Sequence, residues 1–450
     1  MTSSSHHFAS ALLPTGWVEN VRIAICDGVV GSIERDALAK PDDDRHAIAL
    51  PGLPNLHSHA FQRGMAGLAE RAGPSDDSFW TWREIMYRFV DRLTPDDLQT
   101  IAALAQVEML ESGFTRVGEF HYLHHDPSGG AYADRAEMAA AIGAACAETG
   151  IGLTLLPVFY AHSGFGGAAP TAGQRRFVHD LDGFAALIEA SRRVIAAIPD
   201  GVLGVAPHSL RAVTPDQLAA LLPMQDGPIH IHAAEQTREV EDCLAWSGAR
   251  PVEWLLDHMP IDRRWCLVHA THMTPTETRR LARSGAVAGL CPITEANLGD
   301  GIFSALAFLA EGGRFGIGSD SNVRIDATEE LRLLEYGQRL RLRGRNVLAN
   351  GGSTGAALWT GALAGGAQAL GAVQSITPGA SADFVTLDPG HPDLAGRRGD
   401  TILDALVFAA GRSAIDGVWR RGRQVVTNGR HVARERIADR YRATLARLLA

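Results

Sequence analysis

The chain has 450 residues, 46% of them apolar and 21% charged, with a formal charge of −9. That length suits a barrel with a companion domain better than one small domain. The acidic balance argues against a nucleic-acid partner. No 18-residue apolar span points to a membrane helix, and residues 1–18 carry no secretory pattern, so a cytoplasmic protein is expected.

In chain order, residues 17–50 alternate and turn like short strands, notably at 21–25 and 28–33. The apolar run Ala47–Leu50 leads into a strand that ends near His57. Seven further strand candidates follow at 115–120, 152–158, 201–206, 228–232, 265–269, 286–291 and 315–319. Helices alternate with them at 96–112, 134–148, 184–197, 215–222 and 275–284. Short strands return at 382–387, 417–419 and 424–426, and 433–449 has the apolar spacing of a surface helix. Eight strands alternating with helices predict an α/β fold, a (β/α)₈ TIM-like barrel. The two terminal β pieces predict a small β-sandwich domain built from both chain ends. The expected ranges are 1–51 for its N-terminal part, 52–370 for the barrel, and 371–450 for its C-terminal part with the last helix.

Five cysteines (26, 146, 243, 266 and 291) form no CxxC pair. Cys266 and Cys291 sit in apolar runs, as small core residues in a reducing compartment would. Lys40 is the only lysine among 42 basic residues, and it precedes the barrel. Schiff-base chemistry and a two-metal centre bridged by a carboxylated lysine therefore have no plausible residue.

The chemistry-bearing pattern starts at Leu56-His57-Ser58-His59-Ala60-Phe61. Side chains alternate along a strand, so His57 and His59 face the same way and can grip one ion. His208, His232, His269 and Asp320 follow at the ends of later strands, the face on which barrel chemistry collects. His230 shares the parity of His232, but His232 is closer to the strand end and to Glu235, a carboxylate that can carry protons beside a bound water. Asp320 can be a ligand or a cap for the next helix, with Ser321 and Asn322 as rival caps. Either His269 or His272 can lean over a reacting carbon, and His269 is favoured. Three histidines and one aspartate suit a single Zn²⁺, with iron or manganese not excluded. Such an ion lowers the pKa of its water towards ~7 and arms it against a carbon bonded to nitrogen.

The ordered set His57-Ser58-His59, His232-Ala-Ala-Glu235, His269-Ala-Thr-His272 and Ser319-Asp320 resembles the mononuclear deaminase branch of the amidohydrolase superfamily. The segments Cys291–Gly301 and Pro378–Asp383 are similar to that branch as well. The resemblance implies a barrel with a split β-sandwich, and His57, His59, His232 and Asp320 as metal ligands. It further implies Glu235, His269 and Asp320 as catalytic groups, with Glu235 shuttling a proton to the leaving nitrogen. Leu53–Arg63, Phe79–Arg83 and Glu119–Tyr122 resemble a subgroup acting on a small anionic amidine. On that likeness Gln62, Arg83, Tyr122, His208 and Arg211 hold the substrate, and a homodimer is allowed. Arginine forks suit carboxylates on such a ligand. His208 is placed with substrate rather than metal, and His121, His124 and His125 are read as surface or supporting groups. Rival readings are a deaminase of guanine or a related ring, and a non-catalytic metal-binding barrel.

Overall fold

The computed structural model describes residues 3–71 and 79–450. Residues 1–2 and 72–78, which fall within the expected terminal and barrel ranges, lie outside the described residues. Seventeen strands form two sheets among the described residues. The first four are β1 (Ser3–Leu13), β2 (Gly16–Cys26), β3 (Val29–Glu34) and β4 (Asp44–Pro51). The barrel strands are β5 (Leu53–Ser58), β6 (Phe114–His121), β7 (Gly152–Phe159), β8 (Val202–Leu203), β9 (Ala206–Pro207), β10 (Ile229–Ala233), β11 (Trp265–His269), β12 (Val287–Leu290) and β13 (Arg314–Ile317). The chain ends with β14 (Phe384–Leu387), β15 (Ile415–Arg420), β16 (Arg423–Thr427) and β17 (Arg430–His431).

The barrel sheet is parallel throughout. Its ends meet where Val205 bonds to Pro228 and His232 to His208. The expected strand at 201–206 is two short pieces because the chain changes partner there. Gly204 donates to Leu155 on one side, and Val205 donates to Pro228 on the other.

Local code sets the helix starts. Thr94-Pro95, Thr214-Pro215 and Thr274-Pro275 each open a helix with a capping box, closed by Asp97, Gln217 and Glu277. The helix Thr354–Ala369 crosses the floor of the barrel against β5 and β13. Gly365 permits that approach, since a Cβ there would lie 1.8 Å from the Phe315 carbonyl oxygen. With the floor plugged, the opposite end of the barrel is left for a site. No helix among the described residues is long and apolar enough to cross a membrane.

The terminal strands form one sheet in the order β17-β16-β15-β14-β4-β1-β2-β3. It curls on itself, bridging Val29 to Ser381, around a core of Phe8, Ile23, Val30, Phe384 and Trp419. β1 falls outside the expected strand region. Its start reads Ser-Ser-Ser-His-His, and the inward alternation runs through His6, Phe8 and Ser10, two of them polar. His6 is buried edge-on against Phe384 and Trp419, with its pKa pushed down to about 4 by burial.

A buried ion cluster fastens this sheet to the barrel. Arg420 on β15 pairs with Asp383 and Asp200, and Arg116 on β6 reaches Asp200 at 2.9 Å. Two cations meet two anions, so removal of one member strands a buried charge. Arg420→Leu is expected to cost about 3–5 kcal/mol, read as a fall in the denaturant midpoint; an unchanged midpoint would show the cluster to be energetically idle.

Candidate active site

Four strand exits converge on one end of the barrel. His57 lies in β5, His232 in β10 and His269 at the last position of β11, while Asp320 follows β13 by three residues. Three exits turn through the left-handed region at non-glycine residues: Ala234 (φ 52°), His269 (φ 67°) and Asp320 (φ 44°). Such strain persists where surrounding structure fixes it, and it collects at functional sites.

His57 Nε2 lies 3.2 Å from His59 Nε2 and 3.1 Å from His232 Nε2. Asp320 Oδ1 lies 3.5 Å from the first and 3.3 Å from the second. One donor atom from each of these four buried residues falls within 4.8 Å of the others. Burial pushes His57 down to about 3 and also lowers His59 and His232, so all three rings are neutral, the form that binds metals. The Phe120 carbonyl lies 3.0 Å from His59 Nδ1 and fixes the tautomer that turns Nε2 to the centre. Three neutral imidazoles and one carboxylate suit a mononuclear metal.

Alternatives open in the sequence have structural outcomes. His230 points to the floor, with Nε2 2.7 Å from the Ala369 carbonyl oxygen, while His232 joins the cluster. The helix Ala327–Leu342 is capped by Asp326, not Asp320. His272 lies away from the centre with Nε2 2.8 Å from the Asp300 carbonyl oxygen. His121, His124 and His125 are buried rather than on the surface; His124 and His125 lie against the Val158 and Val178 carbonyls.

Carboxylates surround His269. Its Nε2 is 3.7 Å from Glu235 and 3.8 Å from Asp320 Oδ2, and its Nδ1 is 3.3 Å from Glu295. Burial opposes a charge on the ring, but Glu235, Glu295 and Asp320 outweigh it and raise its pKa well above the ordinary value. Glu235 is pushed up to about 7, chiefly by burial. Its backbone N–H donates to Glu239 at 3.0 Å, so a helix residue holds it in place.

The cavity above the cluster is lined by all five substrate-holding candidates. Gln62 Nε2 donates to the Tyr122 hydroxyl at 2.8 Å. The His208 ring stacks edge-on against Tyr160 and is held neutral by burial and by Arg211. The Arg83 and Arg211 guanidinium carbons lie 4.6 and 5.7 Å from the Trp80 ring centroid. The Nε of each arginine is buried without a hydrogen-bond partner. Two cations therefore face the cavity, next to an acid and a metal-type cluster.

Sequence reasoning missed Asn55, Glu119, Glu239 and Glu295. Asn55 shares the inward parity of His57 and clasps Ser319, accepting its N–H at 3.0 Å. Glu119 accepts the Ala60 N–H at 2.7 Å and is pushed up to about 8 by burial. The parity of Asn55 was a usable signal; the glutamates act on backbone groups and leave no spacing pattern.

The amidohydrolase family profile matches residues 48–425, and the profile of the formimidoylglutamate deiminase HutF N-terminal domain matches residues 6–47. A formimidoylglutamate deiminase of Pseudomonas aeruginosa is 53% identical over 98% of both chains. A crystal structure of an amidohydrolase from Brucella melitensis is 57% identical, covers 99% of this chain and 100% of its own, and superposes with a TM-score of 0.96. An adenosine deaminase from Xanthomonas campestris with bound zinc is 22% identical over 99% and 98% of the two chains, with a TM-score of 0.83, which speaks to fold alone.

Gly318 offers a test of the geometry without touching a donor atom. A Cβ there would lie 2.7 Å from the His57 carbonyl oxygen and 2.8 Å from its nitrogen. Gly318→Ala is expected to displace His57 and lower metal content, measured by elemental analysis, at least several-fold; full occupancy would show that the approach is not limiting.

Proposed function

The chain belongs to the amidohydrolase family, and on that footing we propose that its cavity hydrolyses the formimino C–N bond of N-formimino-L-glutamate, giving N-formyl-L-glutamate and ammonia. The observation that carries this reading is the juxtaposition of three things in one cavity: the His57/His59/His232/Asp320 cluster, Glu235, and two arginines with unpartnered Nε atoms. A metal-dependent hydrolysis needs the first, a leaving nitrogen needs the second, and a dicarboxylate needs the third. The name of the Pseudomonas relative points to the same substrate.

We take the four-residue cluster as the ligand set and zinc as the ion, supported by the nitrogen-rich donors. Such an ion, when bound, supplies an acidified water near neutral pH. Asp320 is held far below the ordinary carboxylate range by the histidines around it, which outweigh the cost of burial. Its Oδ2, 3.8 Å from His269 Nε2, receives the proton that the attacking water loses. Glu235 hands its proton to the imino nitrogen as the water adds. Reprotonated through His269, it hands over a second as Asp320 takes the hydroxyl proton of the adduct. The C–N bond then breaks, ammonia leaves with the electron pair and the formyl C=O remains. His269 lies between Asp320 Oδ2 and Glu235 Oε1 and passes the proton back, closing the cycle. Arg83 and Arg211 grip the carboxylates of the substrate; Gln62, Tyr122 and His208 shape its approach.

Glu235→Gln is expected to lower kcat by ~10²–10⁴-fold with metal content unchanged. A raised pKa means that Glu235 carries its proton below pH 7 and loses it above. Activity therefore falls as pH rises through about 7, and a variant that keeps this alkaline limb without Glu235 would assign it elsewhere. Arg211→Lys keeps the charge but loses the fork, so KM for formiminoglutamate should rise about 10-fold or more, as expected for ~1.5–3 kcal/mol of charged hydrogen bonding. Ammonia release from formiminoglutamate and not from guanine decides the substrate class; turnover of guanine alone would overturn the reading.

A further inference from the structure

Cys291 is a buried thiol beside the site that the proposed reaction does not use. It follows β12 within an apolar layer containing Leu56, Cys266, Val268 and Leu370. Its Sγ, a His269 ring nitrogen and an Asp320 carboxylate oxygen nevertheless lie within 4.8 Å of one another, all buried. His269 Nε2 has no hydrogen-bond partner and is aimed between Asp320 Oδ2 and Glu235. Asp320 turns its other oxygen, Oδ1, to His57 and His59. One carboxylate thus faces two donor groups, one with each oxygen.

We propose that His269, Cys291 and Asp320 form a second, inhibitory site for a thiophilic divalent ion such as cadmium or excess zinc, with Asp320 shared between two ions. A thiolate, an imidazole and a carboxylate are a soft-to-intermediate donor set of the kind such ions select. Tetrahedral bonds of ~2.0–2.3 Å need donors roughly 3.3–3.7 Å apart, so a group already within 4.8 Å needs to close by no more than ~1.5 Å on binding. Cys291 gives up its thiol proton and His269 its ring proton to solvent as the metal–sulfur and metal–nitrogen bonds form, with no change of oxidation state. The ion reaches the site through the cavity, which His269 and Asp320 line. Binding occupies His269 Nε2 and Asp320 Oδ2, the two atoms that carry the proton away from the attacking water. The inhibition rests on that proton path; the binding does not.

The test is a cadmium titration of protein already holding one equivalent of zinc, followed by thiolate-to-cadmium charge-transfer absorbance, proton release and activity. Wild type is expected to take one further equivalent, with the absorbance saturating at that stoichiometry and activity falling at least tenfold. Cys291→Ser should retain the first equivalent and its activity, yet show neither the absorbance nor the inhibition. Cys26→Ser, which removes an exposed thiol, should keep both. His269→Asn leaves Cys291 in place and should weaken the second equivalent at least tenfold, which keeps the question open to measurement if Cys291→Ser does not fold. Absorbance that survives Cys291→Ser, or saturation at one total equivalent, overturns the site. Cadmium bound at Cys291 with activity intact overturns the inhibition and, with it, the assigned proton path.

Discussion

Asp320 is the point on which both the barrel and its site depend. Its backbone N–H donates to the His57 carbonyl, and its own carbonyl accepts from the His59 N–H, both at 2.9 Å. These bonds stitch the last strand to the first, where regular pairing is reduced to Ile317 with Asn55. The same residue places its carboxylate against the His57 and His59 rings. Asn322 reinforces the seam by donating to Ser58 Oγ and to the His59 and Asp320 carbonyls. Closing the barrel and assembling the cluster are therefore one event. The left-handed backbone at Asp320 is retained because so many bonds around it would be lost if it relaxed.

Electrostatics around the seam are divided by burial. On one side, the three cluster histidines are kept neutral because a charge there has no solvent. On the other, His269 sits among Glu235, Glu295 and Asp320, and their field outweighs the same burial. The pH character of four similar imidazoles is thus set by the carboxylates beside each ring, which for His269 are Glu235 after β10, Glu295 after β12 and Asp320 after β13. Glu295 belongs to the short helix Pro292–Leu298 and accepts the Cys291 N–H at 2.9 Å, so the turn after β12 fixes its place.

Much of this was legible in the chain. The eight barrel staves, the terminal β pieces and the strand-end positions of His57, His232, His269 and Asp320 follow from parity and alternation, which are local properties. β1 was not legible, because its inward positions include His6 and Ser10, and their burial depends on rings from β4, β14 and β15. The choice of His232 over His230 rested only on nearness to the strand end and to Glu235, and the structure supplies the reason. Both face inward, and what separates them is depth: the floor helix supplies a carbonyl to one and the cluster supplies neighbours to the other. Glu239 and Glu295 escaped for a related reason. They act on backbone groups of residues four positions away, a spacing that any helix surface offers many times over.

The two arginines carry the argument from fold to selectivity. Each guanidinium lies against Trp80 with its buried Nε unmatched by a protein acceptor, which makes a carboxylate a favoured partner there. Glu239, Tyr160 and Glu235 keep Arg211 charged against its burial. A ligand with carboxylates at the right reach relieves both sites at once, whereas one without them leaves the donors buried and unmet. Discrimination by unmet polar groups is far steeper than discrimination by fit alone. On the proposed reading, the cavity therefore rejects neutral ligands because they leave its two guanidinium Nε donors unmet.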